Sequence, residues 1–367
     1  MRRSIILNLL LFFFTLVIIY LIFGIYGIYD IKKNNHLLFF NNDTYKFHKK
    51  YSQKLHHLRD SNRWGNNPNN YLFSVINLEE NLNETLLLQG DSWIESISEI
   101  KESNDLLKNF AKSKNYNLFN AGITSYAPSA MHMQYKILKN DFKISPSILV
   151  IYIDQTDIGD EFCRYKHNKV YSSTGEFLHI KNEKYNKAIY DYTKIYEYSD
   201  LKFKGNNLII LKYPFIKIRY FFKRNFFQLK QIMQYGVSDR NIKKCSFENI
   251  QKELFDYNSE SIENFNLILK EYFEFLKKEK SIKNILIVSF PHINNQKKIY
   301  KINVSNLIDS FLKSHNDDRI SHLNMSKMNF DNYNFNEIYK KDLASHLKNE
   351  YHTNIFIKTI LNKLSNY

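Results

Sequence analysis

Apolar residues are distributed very differently along the two ends of this chain. Residues Ser4 to Tyr29 form an almost unbroken apolar run, interrupted only by Asn8, Thr15 and a few tyrosines. A helix of roughly 20 such residues crosses a hydrocarbon core of about 30 Å. Residues 31 to about 83 are polar, rich in Asn and His, and read as a spacer and lead-in that packs onto the domain after it. From Leu86 onward, short apolar runs alternate with amphipathic stretches. Residues 86–89, 116–120 and the β-branched 148–153 predict strands, and residues 93–113 and 130–141 predict helices. A further buried strand is predicted over 284–290, closed by Pro291. Ile355, Ile357, Ile360, Leu361 and Leu364 predict a last helix over 349–364. Strands separated by helices argue for an α/β fold with a parallel sheet. From about 164 to 280 the pattern gives way to aromatic and basic clusters, such as that at 213–227. This stretch reads as a long insertion, its aromatic–basic mixture as a packed helix with a solvated face.

The flanks of the first apolar run give it a direction. Arg2 and Arg3 precede it, while Asp30, Lys32 and Lys33 follow. With the amino group added, the bias puts the N-terminus inside and everything after residue 30 outside, in the periplasm or on the outer face of a cell membrane. Gly24-Ile-Tyr-Gly27 is a poor match to a small-x-small cleavage site, so the run is expected to stay as a single-pass anchor.

Charge and metal-binding residues narrow the function classes. Lys and Arg total 52 against 37 Asp and Glu, a formal net charge of +15. The positive residues are dispersed, with no zinc-finger, RNP or glycine-rich phosphate motif, so no nucleic-acid partner is expected. The cysteines, Cys163 and Cys245, lack metal-ligand spacing, and a disulfide and two unlinked thiols both stay open. His292, His315 and His322 read as lying in or beside loops and His352 as a solvated helix residue. No pair among them has zinc spacing, and no metal or cofactor is expected.

Candidate chemistry begins at Thr85–Ser98. The apolar Leu86–Leu88 stops at Gly90 and an amphipathic pattern starts after Trp93, which puts Ser92 at a strand–turn–helix junction. Such a junction lifts a hydroxyl to the end of a sheet, beside helix N–H groups that favour developing negative charge. Gly, Asp and Ser also crowd such turns for conformational reasons alone, so the reading leans on three later segments. These are Leu118–Pro128 with Gly122, Ile151–Asp160 with Asp154-Gln155-Thr156-Asp157, and Asp342-Leu-Ala-Ser-His346-Leu347 before the last helix. Each falls where a parallel α/β sheet holds ligands, at the carboxyl ends of strands. Asp157 reads equally as a loop-orienting group and as a helix cap.

This order of segments resembles the SGNH (GDSL-like) hydrolase family, in which four blocks contribute Ser, Gly, Asn and His. The resemblance covers residues 86–163 and 282–364. It implies a three-layer, flavodoxin-like parallel sheet. Within it Ser92 is the expected nucleophile, Gly122 the glycine whose N–H holds the oxyanion, His346 the general base and Asp342 the acid orienting it. Two departures stand out. Thr156 occupies the asparagine position with a shorter donor, Gln155 being a substitute if the loop shifts. Asp342 lies four residues before His346 instead of three. The implied reaction is acyl transfer on O-acyl, chiefly acetyl, esters of envelope or extracellular carbohydrate. Transfer to a sugar, as opposed to hydrolysis, would need a membrane acyl-donor protein as partner. Two other readings stand beside it: a non-catalytic carbohydrate-binding protein on the same fold, and a membrane-surface protein whose aromatic–basic insertion meets anionic lipid.

Overall fold

Strands buried on both faces organise the molecule. In β2 (Glu84–Gln89) and β4 (Ile148–Asp154), and later in β7 (Asn284–Phe290), successive residues point to opposite sides. Yet Leu86 to Leu88, Leu149 to Ile153 and Ile285 to Val288 are all fully buried. Strands of that kind must be covered by helices on both sides, the hallmark of a parallel α/β sheet.

The structure is a computed structural model that describes residues 2–33, 84–181, 259–290, 302–325 and 350–367, with 47, 50–51, 54–59, 72–77, 82, 211, 213–215, 218 and 346–347. Its main sheet has six strands in the order β1-β3-β2-β4-β7-β8, where β1 is Ser74–Asn77, β3 Tyr116–Asn120 and β8 Ile320–Asn324. β1 runs antiparallel to β3, and the remaining five strands are parallel. Counted along the chain, those five lie in the order 2-1-3-4-5, consistent with a flavodoxin-like sheet, whose ligand crevice opens where the winding reverses. Here that place is the carboxyl ends of β2 and β4. A separate two-stranded hairpin pairs β5 (Lys169–Tyr171) with β6 (Phe177–Ile180).

One face of the sheet carries α2 (Ser92–Ile97), α3 (Lys101–Ser113) and α7 (Glu350–Leu364). Their Trp93, Ile94, Leu107, Ala111, Phe356 and Ile360 form one core with Leu86, Leu88, Val150, Tyr152, Leu286 and Val288. The other face carries α4 (Pro128–Phe142), α5 (Ser259–Lys277) and α6 (Val304–Ser314). A buried polar cluster ties that layer to β2: Gln89 Nε2 donates to Met131 O at 2.9 Å and Gln134 Oε1 at 2.8 Å, and Tyr272 Oη donates to Gln89 Oε1 at 2.6 Å.

The described residues form two compact units. One holds 1–51, 60–68 and 183–241; the other holds 52–59, 69–182 and 242–367, and with them the sheet. The stretch read as an insertion therefore divides. The β5–β6 hairpin and α5 belong with the sheet, where Phe265, Leu269, Tyr272 and Phe273 of α5 are buried. Cys163 is disulfide-bonded, and the other cysteine, Cys245, lies outside the described residues. In the first unit, α1 (Arg2–Lys33) contains the apolar stretch Ser4–Gly27, 24 residues long enough to cross a membrane or to serve as a signal sequence.

Two expectations about histidines are corrected. His322 lies within β8, because five residues of mixed polarity at the sheet edge give little strand signal. His352 is 2% exposed, since the α7 face that carries it packs inward with Phe356 and Ile360. His292 lies outside the described residues.

Leu286 is fully buried at the centre of this core. Leu286→Ala should lower the unfolding free energy by about 2–5 kcal/mol, as seen in a shifted denaturation midpoint with an unchanged slope.

Candidate active site

Gly90 ends β2 because nothing larger fits: a Cβ there would lie 2.6 Å from Ile94 Cγ1 and 2.9 Å from Tyr152 Cβ. The chain turns tightly and enters α2 at Asp91, whose carboxylate accepts the Trp93 N–H at 2.9 Å as an N-cap. Ser92 is therefore the first residue of α2, half-buried at the carboxyl end of the sheet. Its Oγ lies 2.6 Å from Nε2 of His346, 254 residues further along the chain. His346 precedes α7, and the next residue, Leu347, is buried in the core that also holds Trp93. The Trp93 ring lies 6.0 Å from the imidazole and packs on Tyr152, Phe290 and Phe356. An aromatic floor thus backs the serine–histidine pair. Asp342 lies outside the described residues.

The other anticipated site residues are nearby in the fold but bonded elsewhere. Gly122 is pressed against α2, where a Cβ would meet Ile94 C at 2.7 Å. Its N–H donates to Asn120 Oδ1 at 3.0 Å, and Asn120 Nδ2 donates to Ile94 O at 2.8 Å. Thr156 donates twice to Asp154 Oδ1, from N at 2.7 Å and from Oγ1 at 2.6 Å. Gln155 turns the other way: its amide donates to Ile302 O and accepts from Val304 N, each at 2.9 Å, bracing the start of α6. Asp157 accepts the Asp154 N–H at 3.1 Å and so holds the turn after β4.

Two networks around α2 escaped the sequence reading. The first is a buried ion pair. Arg59 Nε donates to Glu95 Oε1 at 2.9 Å, while Glu95 Oε2 accepts from Thr124 N at 2.8 Å and Thr124 Oγ1 at 2.6 Å. Nearby, the His57 ring bonds Thr124 O at 2.8 Å, and burial holds that imidazole down to about 4. The lead-in thereby clamps the Gly122 loop onto the serine helix. Glu95 falls on the inward face of α2 and Arg59 in a stretch that reads as spacer, so no local pattern marks the pair.

The second network is acidic. Asp91, Asp154 and Asp157 bring one carboxylate oxygen each within 4.8 Å of the others. Burial, then the neighbouring carboxylates, pushes Asp91 and Asp157 well above the ordinary aspartate range. A hydrogen bond between the Asp91 and Asp154 carboxyl groups also favours the protonated form of Asp91. The spacing would suit a cation, and a shared proton satisfies it equally. The shifts favour the uncharged forms of Asp91 and Asp157 beside the start of α2.

A serine–histidine–aspartate chain elsewhere in the sheet shows why distance alone does not define the site. Ser289 Oγ lies 2.8 Å from His322 Nε2, and His322 Nδ1 lies 2.6 Å from Asp309 Oδ1. Ser289 has no exposed surface and donates to Ser305 Oγ at 2.7 Å, so it ties β7 to β8 and α6 and cannot meet an ester.

No family model matches the chain, and no curated protein does. Among solved structures it is similar to an acetyl xylan esterase from the rumen bacterium Butyrivibrio proteoclasticus, at 8% identity over 79% of this chain and 67% of that one, with a TM-score of 0.33.

Arg59 is 4% and Glu95 1% exposed. Arg59→Met should cost about 3–5 kcal/mol in chemical denaturation by stranding a buried carboxylate. The double variant Arg59→Met/Glu95→Leu should recover part of that loss. Asp160 gives a separate pH signature. Burial raises the Asp160 carboxyl to about 6. Its contribution to stability is therefore complete below the ordinary aspartate pKa and is lost as pH rises through about 6. Relative to wild type, Asp160→Asn should gain on the order of 3 kcal/mol between pH 4 and pH 7, read from unfolding midpoints across that range.

Proposed function

We propose that this chain is a membrane-anchored serine hydrolase of the SGNH type, acting on O-acyl, chiefly acetyl, esters of envelope or extracellular carbohydrate. The observation that carries the reading is the 2.6 Å approach of Ser92 Oγ and His346 Nε2 at the carboxyl edge of the parallel sheet. His346 takes the Ser92 proton as Oγ attacks the ester carbonyl carbon, and returns it to the departing sugar oxygen. Water, or a second sugar hydroxyl, then attacks the acyl-serine by the same proton path. The Ser92 N–H, at the first position of α2, faces no helical partner and is one donor for the oxyanion. Gly122 supplies a second donor once the Asn120 side chain releases its N–H, and Asp342 is the group assigned to orient His346. The apolar run Ser4–Gly27 serves as the anchor, with the sheet-bearing unit on the periplasmic or outer face. The carbohydrate ester follows from the sequence resemblance and this topology.

One set of observations favours a second reading. The N–H of Gly122, the hydroxyl of Thr156 and the amide of Gln155 all donate within the protein. A site in that state suits a protein that binds acylated carbohydrate without turning it over, or one that becomes active only with a membrane acyl-donor partner.

Acetate release from aryl acetates and acetylated xylan by the detergent-solubilised full chain separates these. Wild-type turnover should fall by about 10³-fold or more in both Ser92→Ala and His346→Ala. Equal silence of folded wild type and variants would remove hydrolysis and leave binding or partner-dependent transfer.

A further inference from the structure

Apart from the site, an unexplained apolar surface lies in the unit that contains α1. Residues 211, 213–215 and 218 are helical, and the segment is docked on the last third of α1's apolar stretch. Tyr20 Oη donates to the Leu211 carbonyl. Gly27 lies so close to Tyr213 that a Cβ would approach Tyr213 Cβ to 2.9 Å, and Tyr213 is 1% exposed. On α1 the covered positions are Tyr20, Gly24 and Gly27, spaced four and three residues apart, which makes them one face. The rest of α1 from Ser4 to Ile19 is exposed.

The docked segment does not hide its own apolar residues. Leu211, Phe215 and Ile218, each in helical conformation, are 48%, 63% and 51% exposed. Between the two positions of α1 that touch the segment, Tyr20 and Gly27, Ile22, Phe23 and Ile25 are 60%, 53% and 61% exposed. Tyr20 lies seven residues before Gly27, so at about 1.5 Å per residue the segment reaches roughly 10 Å inward from the apolar end of α1. Helices that lie in a membrane interface bury their apolar face by about 5–10 Å, the same depth.

We propose that Leu211, Phe215 and Ile218 form a second membrane contact, set against lipid acyl chains beside α1. The proposal rests on the reading of α1 as a membrane-spanning anchor. Its occupant is lipid because Leu211 and Tyr213 touch α1 at Tyr20 and Gly27, inside the apolar stretch that a spanning helix gives to lipid. The pairing also holds Leu211 and Tyr213 at the membrane, so α1 alone does not set how the chain sits on the bilayer.

The test uses the full-length chain in phosphatidylcholine vesicles whose lipids carry a diazirine in the acyl chain. After photolysis, adducts are mapped by mass spectrometry. Adducts are expected on α1 and on Leu211, Phe215 or Ile218. In Gly27→Leu, where the enlarged side chain expels Tyr213, adducts at 211–218 should be lost while those on α1 remain. Labelling of α1 with none at 211–218 would overturn the proposal, as would crosslinks showing a second copy over the patch. Retention of the 211–218 adducts in Gly27→Leu would overturn the docking on α1. Absence of adducts on both segments would remove the spanning reading of α1 and the proposal with it.

Discussion

The seat of α2 on the sheet is the constraint on which the rest of the site depends. A six-residue helix has little stability of its own, so it holds its place through what surrounds it. Gly90 and Gly122 are the two positions where backbone must pass close to Ile94, and either Cβ would force the helix outward. Trp93 and Ile94 are then driven into the core between Tyr152, Phe290 and Phe356. Ser92 reaches His346 because of that packing, and His346 stays because Leu347 shares the same core.

Polar groups finish what packing begins, at a cost that only full pairing offsets. Glu95 is buried on the underside of α2 and is held by a guanidinium, a backbone N–H and a hydroxyl together. Among the described residues no cation is paired with the three aspartates beside Ser92, and burial pushes the Asp91 and Asp157 carboxyls well above the ordinary aspartate range. These two solutions sit on either side of one short helix. The first fixes geometry, and the second disfavours negative charge at the start of α2.

Legibility from sequence followed signal strength. The doubly buried strands at 86–89, 148–153 and 284–290 stand out because their runs are almost wholly apolar. Their alternation with helices marks the sheet as parallel, while the flavodoxin-like arrangement was implied only by the family resemblance. The Ser92 turn was legible because Gly90 interrupts an apolar run, and His346 stood out only through the order of four segments that ends at Asp342-Leu-Ala-Ser-His346. β8 was not: Ile320-Ser-His-Leu-Asn324 is half polar and lies at the sheet edge. α5 was hidden within aromatic and basic surroundings although its inward face fills the core. The partners of Gln155, at Ile302 and Val304, depend on long-range placement, and so does the Arg59–Glu95 pair, 36 residues apart. No local period encodes such contacts.

The central claim is that Ser92, and not the geometrically similar but buried Ser289, is an activated nucleophile. A fluorophosphonate reacts with a serine only where a neighbouring base raises its nucleophilicity and the hydroxyl is accessible. The full chain should be treated with such a probe and the adduct located by mass spectrometry, with His346→Ala alongside. The account predicts one adduct, on Ser92, that disappears when His346 is removed. A folded wild type that takes up no probe, or takes it up at another serine while Ser92 stays unmodified, would contradict it.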